Sequence, residues 1–316
     1  MASFDLFDPE AAPKGVAVHM KTPFLENGWL DEASFARTAR HSVDIGAAML
    51  IMGQRGCEVL ALSEAERERT LEISLDAARG RIPVCATATA LTLPDMIAIA
   101  RRYEDMGADA MSVLPPSWIA SKQDNMTCVR AVAEAISIPF FARCTDWGHR
   151  STVEELAQLA LDVPNVRYLK EEMDDWPRRL TELFKRPGGQ RYLRVMVGML
   201  PPGMIHGYRA GARLWMCAAD ITEVLIAIFG ALEAGDDAEA RRIQDLLTPL
   251  CWFKSYVRGQ LDNKMTLYRR GLFDSPRGAN LAWTHGLEEL TAEEEDELTE
   301  MLRPLALFFE KYPPRL

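Results

Sequence analysis

The chain lacks the patterns that mark several common classes of protein. It contains no uninterrupted run of about 18 apolar residues, so we expect no membrane-spanning helix. Acidic residues outnumber basic ones, and a net charge of −10 argues against binding to nucleic acid or to an anionic membrane surface. The first fifteen residues show no basic segment followed by an apolar stretch, so we expect no signal peptide.

Motifs for metal, nucleotide and serine-nucleophile chemistry are also missing from the sequence. There is no HExxH, P-loop or GxSxG, and no GxGxxG follows the first apolar run, so we expect neither a catalytic metal nor a cofactor. The cysteines show neither CxxC pairing nor disulfide-like spacing; they are Cys57, Cys85, Cys128, Cys144, Cys217 and Cys251. We therefore expect reduced thiols and a cytoplasmic protein.

What the sequence does contain is a regular alternation of short apolar runs and amphipathic segments. The runs are almost continuously apolar, as expected for parallel strands covered on both faces. They span 15–22, 48–53, 82–88, 109–114, 138–143, 166–171, 193–198 and 213–218. Between the second and third run, 63–79 predicts a helix, with Ser63 as its N-cap and Glu66 completing a capping box.

Eight such units predict an α/β fold, a (β/α)₈ TIM barrel, over residues 1–235. Beyond that point the pattern predicts only helices, over 236–260, 262–271 and 291–311, with an irregular connection over 272–288. We expect 236–316 to form a C-terminal helical extension packed on the barrel. With 316 residues and 48% hydrophobic content, the chain can form one sizeable core.

Active sites of such barrels lie at the carboxyl ends of the strands, where Lys170 ends the sixth run. Strand side chains alternate, so if Tyr168 and Lys170 share a face, both point into the barrel. Burial and a nearby cation lower the pKa of a lysine, and a neutral amine can attack a ketone to form an imine. The alternative is a simple ion pair between Lys170 and Glu171 or Glu172.

Two arginines are candidates for holding a substrate carboxylate near Lys170. Arg143 ends the fifth run and should lie beside Lys170, where it can hold a carboxylate or depress the lysine pKa; alternatively it pairs with Asp146 or Glu171. Arg55 follows the second run, with the backbone N–H groups of Gly56 and Cys57 predicted to line the same pocket; alternatively it is a solvated loop residue.

The remaining candidates come from the same strand-end rule. Thr22 after the first strand and Ala218 after the eighth are predicted to contact substrate. His149, just beyond Arg143, is a candidate acid or base, although a lone loop histidine is more often structural. His19 is expected to be a packed core residue, and Glu58 to cap or pair locally.

Several of these segments resemble the dihydrodipicolinate synthase and N-acetylneuraminate lyase family, over about residues 1–310. The similar segments are Thr22-Pro23-Phe24, the loop with Glu58, Leu62 to Arg67, Arg81 to Val84, Gly107-Ala108-Asp109, Pro115-Pro116 and Lys170-Glu171 after Asn165-Val166. The resemblance implies Schiff-base chemistry of Lys170 with pyruvate or a related 2-keto acid, and a homotetramer or homodimer.

The sequence departs from this family where the family places its tyrosines. The strand-five tyrosine is replaced in Arg143-Cys144-Thr145-Asp146, and Ser117 follows Pro115-Pro116 where the second tyrosine would be. The usual Gly-Thr-Thr-Gly-Glu loop is here Gly53-Gln54-Arg55-Gly56-Cys57-Glu58. The tyrosine proton relay and the paired threonines that hold the keto-acid carboxylate are therefore absent.

The tail is similar to that of 2-keto-3-deoxy sugar-acid dehydratases, in Asn263-Lys264-Met265 through Arg270-Gly271 and in Ser275-Pro276-Arg277. This similarity favours a dehydratase slightly over an aldolase acting on a 2-keto acid. Two alternatives stay open. One is dihydrodipicolinate synthase activity, with water or His149 replacing the relay; the other is a non-catalytic barrel that binds keto acids.

Overall fold

The computed structural model describes residues 4–115, 122–145, 151–198, 203–254, 261–278 and 290–316. Eight parallel strands close into a barrel in the order in which they occur along the chain. They are β1 (Gly15–His19), β2 (Met49–Ile51), β3 (Val84–Ala88), β4 (Ala110–Val113), β5 (Phe140–Thr145), β6 (Val166–Glu172), β7 (Arg194–Val197) and β8 (Leu214–Cys217). Each lies on one of the eight predicted runs, so the predicted barrel is confirmed.

Helices connect the strands and cover the outside of the barrel. Those of the barrel are α1 (Glu32–Asp44), α2 (Glu64–Ala78), α3 (Leu93–Asp105), α4 (Lys122–Glu134), α5 (Val153–Asp162), α6 (Trp176–Phe184), α7 (Met204–Arg209) and α8 (Thr222–Glu233). They are followed by α9 (Asp237–Trp252), α10 (Leu261–Arg269), α11 (Ala292–Leu302) and a 3₁₀ helix (Arg303–Phe308). The helices predicted after residue 235 are present where the structure describes them, since 255–260 of the first lies outside the described residues; the domain boundary placed there stays a prediction.

The helix ends follow the expected local chemistry. Ser63 and Glu66 form the predicted capping box, in which the Glu66 N–H donates to Ser63 Oγ and the Ser63 N–H donates to Glu66 Oε2. Gly46, Gly107 and Gly211 follow helices α1, α3 and α7 with positive φ angles of 86°, 100° and 101°. Glycine adopts this conformation without the steric cost of a Cβ, which explains its use at these helix-to-strand joints.

Apolar side chains fill the amino-terminal part of the barrel. Tyr168 stacks on Phe141 with 4.5 Å between the ring centroids, and its hydroxyl donates to the Leu6 carbonyl. Ala17, Met49 and Leu214 belong to the same buried cluster. Because side chains alternate along β6, Lys170 lies on the same inward face as Tyr168, one layer closer to the carboxyl ends of the strands. The floor of the site is therefore closed by packed side chains.

Within the described part of the chain, no helix is both long and apolar enough to cross a membrane.

Candidate active site

Lys170 lies inside the barrel near the carboxyl end of β6, as predicted. Its side chain is 3% exposed. Arg143 on β5 is its partner in the strand register, which confirms that the two residues are neighbours. Adjacent parallel strands bring both cations to the same end of the barrel.

Among the described residues, Glu172 and Gln54 contact the Lys170 amine. Nζ lies 3.0 Å from Glu172 Oε1 and donates to Gln54 Oε1 at 3.1 Å. Gln54 is itself oriented by a 2.7 Å hydrogen bond from its Nε2 to Thr87 Oγ1. The alternative of an ion pair with the next glutamates is thus present for Glu172. Glu171 faces outward instead, where Arg179 Nε lies 3.2 Å from its carboxylate.

The surroundings of Lys170 favour the neutral amine. Burial, followed by the positive charge of Arg143, lowers the pKa of Lys170 to about 8, although Glu172 acts in the opposite direction. Compared with an ordinary lysine, a pKa near 8 gives roughly 300-fold more free amine at pH 7. The amine is therefore available as a nucleophile, which an ordinary surface lysine is not.

The Arg143 guanidinium has one hydrogen-bonded nitrogen and two nitrogens without a partner among the described residues. Its Nη2 donates to Glu172 Oε2 at 3.2 Å, while Glu171, one of the two carboxylates predicted as alternatives, pairs with Arg179 instead. Arg143 is only 9% exposed, yet Nε and Nη1 have no hydrogen-bond partner among the described residues. Buried donors left unpaired cost about 1–3 kcal/mol each, so an anion placed against them would be strongly favoured.

Arg55 lies in the loop after β2, on a short 3₁₀ turn spanning Arg55–Cys57. The residue is exposed, as the alternative interpretation proposed. Burial of part of its side chain, followed by the charge of Arg143, lowers the pKa of Arg55. The charge of Arg143 therefore acts on Arg55 across the site.

The backbone of this loop is held by hydrogen bonds within the protein. The Cys57 N–H donates to the Gln54 carbonyl at 2.9 Å, so in this conformation it is not free to hold a substrate carboxylate. The Gly56 carbonyl accepts a 2.6 Å hydrogen bond from Lys21, and Thr22 Oγ1 donates to the Cys57 carbonyl at 2.5 Å. These bonds fix the loop against β1. The Ala218 carbonyl, after β8, accepts from the Thr222 hydroxyl.

Lys21 and His19 extend the site along the inward face of β1. His19 is buried as expected, with Nδ1 3.5 Å from Cys57 Sγ. Its pKa is well below the usual value because of burial and then the charges of Lys21, Lys170 and Lys254. Burial raises the pKa of the Cys57 thiol to about 11. Lys21 was not among the residues predicted from the sequence. Its position two residues after His19 could have indicated it, because strand side chains alternate and residues 19 and 21 share the inward face.

The C-terminal extension supplies two further lysines to the mouth of the barrel. Lys254 forms an ion pair with Asp220, which follows β8. Lys264 forms one with Glu58, and its Nζ lies 4.7 Å from the centroid of the Phe24 ring. Glu58 thus has a partner from α10, beyond the local pairing that the sequence predicted for it. Burial lowers the pKa of Lys264 to about 8, against the opposing effect of Glu58.

Two predicted positions cannot be placed in this site. Asp146 and His149 lie outside the described residues, and so does Ser117. Among the residues that the structure does describe, no three His, Cys, Asp or Glu side chains gather as a metal ion would require. The groups that the described part of the site offers for chemistry are a buried amine, two guanidinium groups and a carboxylate.

A closed eight-stranded barrel with a buried amine near the end of its sixth strand has the arrangement of an imine-forming lyase of the class I aldolase type. Comparison with known proteins agrees. The model of the dihydrodipicolinate synthetase family matches residues 12–276. The chain belongs to this family.

Relatives share moderate sequence identity with the chain. A 4-hydroxy-tetrahydrodipicolinate synthase of Hyphomonas neptunium is 29% identical over 237 residues, covering 72% of this chain and 78% of the relative. An uncharacterized DapA-like lyase of Rhizobium meliloti is 26% identical over 249 residues, covering 76% and 79%. A 4-hydroxy-tetrahydrodipicolinate synthase of Salinibacter ruber is 29% identical over 180 residues, covering 56% of this chain and only 59% of the relative.

Solved structures show the same fold. Dihydrodipicolinate synthase from Aquifex aeolicus superposes with a TM-score of 0.82 and 21% identity, over 96% of this chain and 100% of the other. A prophage protein of the dihydrodipicolinic acid synthase family from E. coli K12, in complex with pyruvate, gives 0.80 and 19% identity, over 92% and 98%. At these identities the likeness establishes the barrel and its helical tail.

Proposed function

We propose that Lys170 forms an imine with the C2 ketone of a small 2-keto acid. One observation carries the proposal: the amine is buried at the carboxyl end of β6, with a pKa of about 8, beside a guanidinium that has unpaired donors. An imine makes C2 an electron sink, so bonds to the neighbouring carbons can break. Membership of a lyase family and a relative that holds pyruvate support this chemistry.

The substrate carboxylate is proposed to bind against Arg143. Nε and Nη1 are buried and unpaired among the described residues, while Nη2 is held by Glu172, so the guanidinium is already oriented before substrate arrives. Arg55 lies close enough to add a second positive charge from the loop. Together they would replace the paired threonines that other family members present in this loop. Thr22 and Ala218 are proposed to border the bound substrate.

For the overall reaction we propose a dehydratase: the imine forms at C2, a proton leaves C3, and the C4 hydroxyl departs as water. The tail, with its Asn263-Lys264-Met265 segment, supports this choice over retro-aldol cleavage. Turnover of 2-keto-3-deoxy sugar acids would be followed by mass spectrometry. Cleavage to two smaller products would instead identify an aldolase. Comparable turnover of pyruvate with aspartate semialdehyde would identify a dihydrodipicolinate synthase.

We also propose a cytoplasmic homotetramer or homodimer. Reduced, buried cysteines among the described residues and membership of the family support this assignment. Light scattering coupled to size-exclusion chromatography measures the assembly directly, and a mass equal to one chain would contradict it.

Reduction with borohydride tests the imine itself. Treatment in the presence of pyruvate should add one reduced pyruvate adduct to the intact mass, and Lys170→Ala should abolish it. Lys264 is an internal control, because it is also buried, paired with a glutamate and has a pKa near 8, but it lies on α10 and not at the end of a barrel strand. Peptide mapping should find the adduct on Lys170 and not on Lys264. An unmodified protein, or an adduct that survives Lys170→Ala, would refute the proposal.

A further inference from the structure

Glu172 is the carboxylate that joins the two central cations of the site. It ends β6 two residues after Lys170, on the same inward face. Its Oε1 lies 3.0 Å from Lys170 Nζ, and its Oε2 accepts from Arg143 Nη2 at 3.2 Å. The side chain is 14% exposed. A carboxylate in this position contacts the atom on which the imine would form.

Space for this carboxylate is provided by Gly198, which follows β7. The Gly198 N–H donates to the Glu171 carbonyl, so the backbone of residue 198 is fixed beside the end of β6. A Cβ at this position would overlap Glu172 Oε1 and lie 2.8 Å from both Cδ and Cγ. The Glu172 carboxyl group thus fills the volume that any larger residue at position 198 would need.

Three other groups described near Lys170, a side-chain amide, a phenol and a thiol, are poorly suited to the task. Gln54 contacts Nζ, but an amide does not exchange protons at neutral pH as an acid or base. The Tyr168 hydroxyl is bonded to the Leu6 carbonyl, below the site. Burial raises the pKa of the Cys57 thiol to about 11, so it is a weak acid here. Among the described residues that touch the amine, Glu172 alone titrates.

On the strength of the proposed imine at Lys170, we propose that Glu172 is the catalytic proton acceptor and donor for the substrate C3, in place of the tyrosine relay. In the first step the imine nitrogen is protonated, as an iminium, and the Glu172 carboxylate takes a proton from C3. The C–H electron pair forms the C2=C3 bond, and the C2=N electrons move to nitrogen, giving a neutral enamine and a carboxylic acid.

In the second step the same group returns its proton. For a substrate with a C4 hydroxyl, the nitrogen lone pair re-forms C2=N, the C2=C3 electrons form C3=C4, and the C4–O bond breaks. The departing oxygen takes the Glu172 proton and leaves as water, which restores the carboxylate. No oxidant, reductant or further reactant is needed, and charge balances in both steps.

Position and charge both suit this role. In the imine, C3 is two bonds from Nζ, at ~2.5 Å, so an oxygen 3.0 Å from Nζ can reach its proton by a small side-chain rotation. Burial by itself would raise the pKa of Glu172, but the charges and hydrogen bonds of Lys170 and Arg143 hold it below the usual value. Glu172 is therefore ionised and ready to accept a proton.

Deuterium exchange separates proton transfer from imine formation. In D₂O, an enzyme that reversibly removes a C3 proton of pyruvate replaces the methyl hydrogens with deuterium, which ¹H NMR follows as loss of the methyl signal. Borohydride trapping of the same samples measures the imine. We expect Glu172→Gln to keep the adduct but to lower the exchange rate per adduct by about 100-fold or more. Glu172→Asp should recover part of that rate.

Glu171→Gln is the matched control. It changes the same residue type one position earlier, where the carboxylate is buried against Arg179 on the outside of the barrel. Exchange and trapping should both stay at the wild-type level. If Glu172→Gln fails to fold, Gly198→Ala displaces the carboxylate without removing it and should show the same loss of exchange.

The outcomes are distinguishable from failure of the proposed function. A wild-type protein without a borohydride adduct would refute the imine and this inference with it. An adduct in the wild type, together with undiminished exchange per adduct in Glu172→Gln, would refute the role of Glu172 alone. A shift in the pH profile of trapping, with unchanged exchange per adduct, would show that Glu172 only positions and tunes Lys170.

Discussion

Arg143 is expected to have two effects: its positive charge lowers the pKa of Lys170, and its N–H groups bind the substrate carboxylate. The variant Arg143→Met removes both the charge and the N–H donors. The charge of Arg143 is the second cause, after burial, of the lowered Lys170 pKa. A neighbouring charge typically shifts a buried group by one or more pKa units. The midpoint for imine formation should therefore rise by about one unit in Arg143→Met. At pH 7 the free amine should fall about tenfold.

Two ketones separate the two effects. A neutral ketone, such as hydroxyacetone, senses only the amine, so its trapping rate in Arg143→Met should fall about tenfold at pH 7 and recover at higher pH. Pyruvate also loses charged hydrogen bonds worth about 1.5–3 kcal/mol, so its trapping should fall by roughly a further 10- to 100-fold. The assay is borohydride trapping against pH, with the adduct measured by intact mass.

Arg143→Lys is the matched variant, because it keeps the charge and changes the donor geometry. The pH midpoint for imine formation with the neutral ketone should stay near that of the wild type. The ratio of the pyruvate trapping rate to the neutral-ketone trapping rate should decrease. An unchanged midpoint in Arg143→Met would show that burial alone lowers the Lys170 pKa. Equal losses with both ketones would show that Arg143 does not hold the carboxylate.

Two predictions concern stability. Gly107 and Gly230 both have open space where a Cβ would be, but only Gly107 has a positive φ angle. Gly107→Ala should therefore destabilise the protein by about 1 kcal/mol, and Gly230→Ala, within α8, should stabilise it by up to about 1 kcal/mol. Urea unfolding measures both changes in the free energy of unfolding. Changes of the same sign in the two variants would contradict this explanation. Lys170→Met should stabilise the protein by up to about 3 kcal/mol at pH 7, because the folded state holds this lysine at a pKa of about 8. The wild type gains stability as the pH rises from 8 to 10.5, so the difference in stability between Lys170→Met and the wild type should disappear over that range. A difference that does not depend on pH would contradict this explanation.

The barrel was predictable because parallel strands buried on both faces leave continuous apolar runs, and each of the eight runs contains or overlaps a strand. The contact between Lys170 and Arg143 was predictable for a related reason. Neighbouring strands of a barrel bring their carboxyl ends together, so two strand-end cations of β5 and β6 must meet.

Contacts that depend on docking between distant segments were not predictable in the same way. Helical periodicity predicts that α10 exists, but not that it places Lys264 on Glu58 across the barrel mouth. The turn that directs Gln54 towards Lys170 depends on hydrogen bonds from Lys21 and Thr22 to the loop backbone. Glu172 was considered only as an ion-pair partner, because its relation to Gly198 appears only once β6 and β7 are adjacent.

Crystals soaked with pyruvate would test the central claim most directly. We predict continuous electron density from Lys170 Nζ to C2 of pyruvate, with the carboxylate against Arg143 Nε or Nη1. Pyruvate bound without a covalent link to Lys170, or attached to Lys264, would contradict the assignment of Lys170 as the imine-forming residue.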